Sequence, residues 1–349
     1  MKPASFTRQQ VSIGIAHRTR YLWATMLLII CVLAMAKGYA QEIPVDTWYC
    51  GIKLTQPGTY NMTNDITCGL FPRSGIEIAA SGITLNMQGH FIVGQCNGDN
   101  WSVGVRVDDG LNSVVIKGPG TIRETCGGVK LSAGGQQNTV THVHIQNTSY
   151  PGAIDISHSN SSTVRLNTIQ NVSLWGIVGQ AFTGGQITQN TITDNTATAI
   201  ELWQAGNVAI LGNTLVRNSS GIIVHPTTPR SWVTIESNDT SSNQTYGIYA
   251  SGGGTIANNS VNANQDGIYV DGGGFLIQSN TANSSRHYGI AITKTYGPPP
   301  INNTIKSNDA IGNGTLDLYW DGNGTGNTWS QNNCDTWSVS IGPGPCIAP

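Results

Sequence analysis

Charge is what this sequence has least of. Asp, Glu, Lys and Arg make up 10% of 349 residues, with 17 Lys and Arg against 19 Asp and Glu. Five of the cations (Lys2, Arg8, Arg18, Arg20 and Lys37) precede residue 41, so the chain beyond it sets twelve against 19, a balance near −7. No basic run remains, and a nucleic-acid partner is excluded, because neutralising a phosphate backbone takes clustered Lys and Arg. Helical periodicity is missing beyond residue 40. No Cys-x-x-Cys or His cluster supports zinc.

Residues 1–40 read as a signal peptide. Basic residues precede an apolar run from Tyr21 to Ala36, and Gly38-Tyr39-Ala40 supplies small residues for cleavage. The run is short for a membrane span, which takes about 20 residues. Cleavage would give a secreted, periplasmic or cell-surface protein. Left uncut, the long basic leader would anchor the chain in the membrane. Six cysteines remain beyond Cys31, an even number that suits an oxidising compartment. Cys50 and Cys68 bracket one short loop, and Cys334 and Cys346 another. Cys96 falls 20 residues after Ile76 and Cys126 falls 21 after Val105, which puts the two at one angular position on neighbouring coils. Strand spacing of about 4.8 Å is close to the Cα separation a disulfide needs. Free thiols or a metal site are the alternatives.

What the chain has in abundance is one phrase: a small residue, an aliphatic, any residue, then usually another aliphatic. It recurs every 20 to 29 residues, from Gly75-Ile76-Glu77-Ile78 through Gly176-Ile177-Val178-Gly179, Gly221-Ile222-Ile223-Val224 and Gly267-Ile268-Tyr269-Val270 to Thr315-Leu316-Asp317-Leu318. Eleven copies at that period mean a solenoid. Each coil reads as two or three short strands with period-2 alternation, so that Ile222 and Val224 point in while Ile223 and His225 point out. Residues 41–75 then form an N-terminal cap, 76–333 the coils, and 334–349 a Pro/Gly-rich C-terminal cap. Bare end coils would expose apolar interior and strand edges.

A second phrase marks a corner. Asn190 and Asn195, Asn213 and Asn218, Asn238 and Asn243, Asn259 and Asn264, Asn308 and Asn313, and Asn327 and Asn332 are each five apart, and Asn167 and Asn280 join the first series. Stacked Asn side chains would bond one another and the backbone of the next coil. Sequons at Asn61, Asn100, Asn147 and Asn218 offer the competing reading, N-glycosylation.

These phrases, with Ile210-Leu211-Gly212-Asn213-Thr214, Ile83-Thr84-Leu85-Asn86-Met87-Gln88-Gly89-His90 and the ending Gly326-Asn327-Thr328-Trp329 through Cys334, resemble the right-handed parallel β-helix repeat proteins of the pectate-lyase-like superfamily. The resemblance covers nearly the whole chain beyond the signal. It implies an all-β, single-stranded right-handed parallel β-helix of about eleven coils with disulfide-tied caps. Such relatives include polysaccharide lyases, hydrolases, alginate epimerases and the periplasmic maturation factor of nitrous oxide reductase. The epimerase Asp-Pro-His signature, the polygalacturonase set and the pectate-lyase calcium carboxylates have no match here. The runs Ser251-Gly252-Gly253-Gly254 and Asp271-Gly272-Gly273-Gly274 lack the recurring Asp of calcium nonapeptides and read as tight turns.

In polysaccharide-active β-helices the substrate lies along an outer sheet face. The first outward column of the repeated strand is Glu77, Arg106, Lys130, Asp155, Val178, Glu201, Ile223, Tyr249, Tyr269, Ala291 and Asp317. The second is Ala79, Asp108, Ser132, Ser157, Gln180, Trp203, His225, Ser251, Asp271, Thr293 and Tyr319. Glu77, Arg106, Lys130 and Asp155 read as a solvated ion ladder. Glu201, His225 and Asp271 are the acid/base candidates, and Trp203, Tyr249, Tyr269 and Tyr319 are the sugar-stacking candidates. Glu201 and His225 sit on adjacent rungs. Glu201 and Asp271 are three rungs apart, roughly 14 Å, beyond either glycosidase geometry. Arg230, Arg286, His287 and Lys294 flank the face. The plain alternative is an exposed aromatic-and-polar stripe with no chemistry.

The functional expectation is a protein that binds or acts on a polysaccharide along this face, as a lyase, hydrolase or epimerase if it is an enzyme, with no cofactor or metal. A non-catalytic surface rod is the alternative. A periplasmic metal-maturation role is the third reading, poorly served by seven His and five Met without regular ligand spacing.

Overall fold

The computed structural model describes residues 42, 45, 47–69, 74–96, 102–131, 133–226, 231–295 and 299–347. Residues 1–40, where the sequence suggests a signal peptide, and Asn100, Ser132 and Arg230 lie outside the described residues. The chain winds as a parallel β-solenoid. Strand Ile76–Ile78 pairs with Val103–Val107, Val103–Val107 with Gly127–Lys130, and the ladder continues rung by rung to Leu316–Trp320. Strand Ile52–Leu54 pairs in parallel with Ile76–Ile78, Gly58–Asn61 with Ile83–Asn86, and Ile66–Thr67 with Phe91–Val93. The segment ahead of Gly75 therefore carries strands in register with the coils.

The inward aliphatics make the core. Ile154, Ile177, Ile200, Ile222, Ile248 and Ile268 stack directly over one another, each without solvent exposure. Burying each contributes about 2 kcal/mol relative to leaving it in water. The small residue that opens each phrase has a steric cause. A Cβ on Gly221 would stand 2.4 Å from the Gly247 carbonyl oxygen, and one on Gly267 2.4 Å from that of Gly289. Coils approach too closely there for most side chains.

Register corrects the last phrase. Leu318, not Leu316, stacks on Ile290, and Leu316 stands beside Tyr288. Thr315-Leu316-Asp317-Leu318 is thus two residues out of phase with the others. Tyr319 belongs to the first outward column, next to Ala291, and Asp317 to neither. Asp317 is instead buried, accepting hydrogen bonds from the backbone and side-chain amides of Asn313 and from the backbone N–H groups of Asp335 and Thr336. Burial alone would raise its carboxyl pKa, but these donors together pull it below the ordinary range.

The Asn corner is a continuous ladder. From Asn167 through Asn190, Asn213, Asn238, Asn259, Asn280 and Asn308 to Asn332, each residue donates its backbone N–H and side-chain amide to the next Oδ1. Each side-chain amide also caps a carbonyl of the preceding coil, as Asn213 does for Ile187. Asn195, Asn218, Asn243 and Asn264 form a second series. The spacing misleads at one end: Asn332 continues the first series below Asn308, whereas Asn327 pairs with Asn303. Asn218 is fully buried, so its sequon is closed to a glycan in the folded protein.

Three disulfides tie the rod: Cys50–Cys68, Cys96–Cys126 and Cys334–Cys346. Cys96 and Cys126 stand on neighbouring coils with Cα atoms 4.7 Å apart, following the register of Val93 against Arg123. The C-terminal segment closes with a short 3-10 turn at Val339–Ile341 and a bridge between Asn332 and Cys346.

Candidate functional site

The outward side of the first sheet carries the site. Its register runs Val178, Glu201, Ile223, Tyr249, Tyr269, Ala291 and Tyr319 along one column, with Trp203 beside His225 and Ser251 beside Asp271 on the next. Period-2 alternation also projects a third outward column, one step before the repeated phrase. There Trp175, Tyr246 and Tyr288 precede Gly176, Gly247 and Gly289. These three aromatics were not singled out in the sequence, although they stand two residues before Ile177-type core positions and share their alternation.

The aromatics group into three patches. Trp175 and Trp203 meet edge to face at 5.3 Å. Tyr246 leans against both Tyr249 and Tyr269 at 5.4 Å, Tyr249 stacks on Tyr269 at 5.8 Å, and His225 closes on Tyr249 at 5.3 Å. Tyr288 stacks on Tyr319 at 4.5 Å. Trp175, Trp203, Tyr246, Tyr269, Tyr288 and Tyr319 are all half-buried, so each keeps some surface in water. From the Trp175 rung to the Tyr319 rung the face is about 29 Å long at the strand spacing.

The polar groups differ sharply in access. Glu201 is half-buried, accepts a hydrogen bond from Trp175 Nε1 at 2.5 Å, and burial pushes its carboxyl pKa upward. Asp271 points outward yet has no solvent exposure. Its carboxylate accepts from the Tyr249 hydroxyl at 3.3 Å and from the Thr295 backbone N–H at 3.0 Å. The Thr295 hydroxyl meets the Tyr269 hydroxyl at 2.9 Å and that of Thr293 at 3.0 Å, which draws this turn against the sheet. Asp271, one of the acid/base candidates of the sequence, is thus covered on this face. Tyr249 is likewise buried; burial and the Asp271 charge hold its phenol far above the ordinary pKa.

His225 is half-buried, and burial lowers its imidazole pKa despite the attraction of Asp271. Its Nδ1 lies 3.5 Å from Ser251 Oγ. No hydrogen bond joins it to Glu201 among the described residues, so the two adjacent-rung candidates work in separate surroundings. Further along, buried Asp266 accepts from the Tyr288 N–H, lies 3.7 Å from His287 Nδ1, and has its carboxyl pKa raised by burial. Of the flanking residues, Lys294 donates its backbone N–H to Asp321. In the N-terminal rungs Lys53 bridges Glu77 and Asp108, and Arg106 pairs with Asp108, partly exposed pairs of small worth, whereas Asp155, expected in that ladder, is buried and accepts from the Ser157 backbone N–H.

The described residues contain no cluster of three or more His, Cys, Asp or Glu arranged to hold a metal ion. All six cysteines beyond residue 40 are consumed in disulfides, and Met62 and Met87 are buried in the hydrophobic core.

Solved structures share the fold at low identity. The periplasmic alginate epimerase AlgG aligns over 87% of this chain and 81% of its own, with 14% identity and a TM-score of 0.55. The catalytic unit of a thermostable GH87 α-1,3-glucanase from Streptomyces thermodiastaticus strain HF3-3 aligns over 84% of this chain and 64% of its own, with 13% identity and a TM-score of 0.60. This chain therefore spans just under two thirds of that unit. The A-module of the Azotobacter vinelandii mannuronan C-5 epimerase AlgE6 aligns over 84% of this chain and 91% of its own, with 13% identity and a TM-score of 0.52. No curated protein matches the sequence. Residues 62–233 and 176–342 match the family described as periplasmic copper-binding protein (NosD), and the chain belongs to that family of right-handed β-helices.

Proposed function

We propose that this protein binds a polysaccharide laid across the rungs between Trp175 and Tyr319. The observation that carries the reading is the half-buried aromatic run on one outer sheet face. Flat rings of this kind stack on the apolar faces of sugars, and their buried portions hold them in fixed orientations. The solved neighbours supply support by analogy, since their names place them on alginate and α-1,3-glucan. The three disulfides suit an extracytoplasmic setting in which such a polymer would be met.

Binding is favoured over hydrolysis by the carboxylates. A glycosidase needs two reachable carboxyl groups about 5 to 9.5 Å apart. Here Glu201 is reachable, but Asp271 is three rungs away and covered. The copper in the family's description finds no matching donor set among the described residues.

Affinity electrophoresis through polysaccharide gels, followed by calorimetry, tests the proposal. Trp203→Ala should weaken binding about tenfold, equivalent to about 1.4 kcal/mol for one lost stacking partner. His225→Ala should weaken it less. Wild-type mobility unchanged by every polysaccharide would end the proposal.

A further inference from the structure

We infer that the polymer held on this face is uncharged. The inference rests on the binding role proposed above and narrows it to a substrate class. Across the three outward columns from Trp175 to Tyr319 there is no Lys or Arg. Besides the tyrosine phenols, the ionisable groups these columns hold are three carboxylates and a single imidazole: Glu201, Asp266, Asp271 and His225. Asp321 stands at the edge, bonded to the Lys294 backbone. Burial keeps His225 neutral more readily than an exposed imidazole. The cations of the same sheet are gathered in the other half, where Lys53, Arg106 and Lys130 occupy the first column. Lys53 and Arg106 already face Glu77 and Asp108 there.

A polyuronate carries a carboxylate on every ring. Recognition of such a polymer calls for guanidinium or ammonium groups on the contact surface, the geometry that pairs them with carboxylates. The aromatic face offers none, and it would press those charges towards Glu201, whose own carboxylate is already partly stripped of water. Like charges brought together near a low-dielectric surface repel. A hexose polymer without charge meets no such obstacle. Its C–H faces lie on Trp203, Tyr269 and Tyr319, and its hydroxyls donate to the free lone pairs of Glu201. Arg286 and Lys294 are exposed at the margin, off the columns.

The test uses the full chain beyond the signal and a panel of polymers: neutral α- and β-glucans and a mannan, the polyuronates alginate and polygalacturonate, and the polycation chitosan. Each is run against the wild type and against Trp203→Ala and Tyr269→Ala, with circular dichroism confirming the fold of each variant. The expected result is retention by at least one neutral polymer, lost at least about tenfold in both variants and unchanged when salt is raised about tenfold, since screening acts only on charge. Polyuronate or chitosan binding that exceeds neutral binding and disappears in the variants would overturn the uncharged-polymer inference while leaving the face intact. Binding of any polymer unaffected by both variants, or no binding at all, would overturn the site itself.

Discussion

The Tyr249 hydroxyl donates to the carboxylate of Asp271, on the neighbouring rung, and both side chains are closed to solvent on the outer side of the sheet. A covered carboxylate away from the core is costly unless its oxygens are satisfied. Tyr249→Phe removes one donor at almost constant shape. It should destabilise the protein by about 1–3 kcal/mol. Thermal melts of Tyr249→Phe, Asp271→Asn and the double variant should be non-additive, the double costing less than the sum. Strict additivity would mean the hydroxyl and the carboxylate do not act together.

The Asn ladder makes a sharper prediction. Asn213 accepts from the backbone and side chain of Asn190 and donates to Ile187 and Asn238. Asn213→Ala leaves two donors of Asn190 buried without an acceptor, at a cost of about 3 kcal/mol. Thr191→Ala, at an exposed outward position, should stay within about 0.5 kcal/mol. Urea denaturation compares the two, and equal midpoints would show the ladder to be dispensable.

The bond between Cys96 and Cys126 closes a sequence separation of 30, against 12 for Cys334 and Cys346. Loop-closure entropy assigns about 3.5 kcal/mol to the first and about 3 kcal/mol to the second. Paired Cys→Ser replacement of either should lower the midpoint, Cys96 and Cys126 by slightly more. A stability unchanged by reduction would show that the stacked coils alone supply the restraint.

Two groups on the face should shape the dependence of stability on pH in opposite senses. Burial raises the Glu201 carboxyl, so its contribution is present at low pH and is lost as the pH rises through its folded pKa. Glu201→Gln should therefore match wild type at about pH 4 and exceed it in stability by about pH 7, where wild type carries the partly desolvated charge. Burial lowers the His225 imidazole, so its contribution is present above the ordinary imidazole value and is lost as the pH falls. His225→Gln should flatten the melting-temperature profile between about pH 7 and pH 5. Melts across that range read both effects, and parallel profiles for all three proteins would contradict them.

The repeat period, the inward Ile stack, the parallel coils and the Cys96–Cys126 pairing were all legible in the chain, because each depends on a spacing that the sequence states directly. Stacking converts a period into a position: whatever lies one repeat later lies one strand spacing away. The glycosylation reading of Asn218 and the placement of Tyr319 were not settled this way. The phrase at Thr315 has the right residue types in the wrong phase, and only the pairing of Leu318 with Ile290 reveals the slip.

Composition and periodicity by themselves determined that this chain would be a parallel β-solenoid with an aromatic outer face. Only the tertiary structure decided which of those outward groups meet solvent. Alternation tells which side of a sheet a residue occupies, but not what folds over that side. The turn at Thr293 and Thr295, drawn in by hydrogen bonds to Tyr269 and Asp271, covers one carboxylate while Glu201 remains reachable. Trp175, Tyr246 and Tyr288 join the face for the same reason: rings from different coils come together only when the coils are stacked.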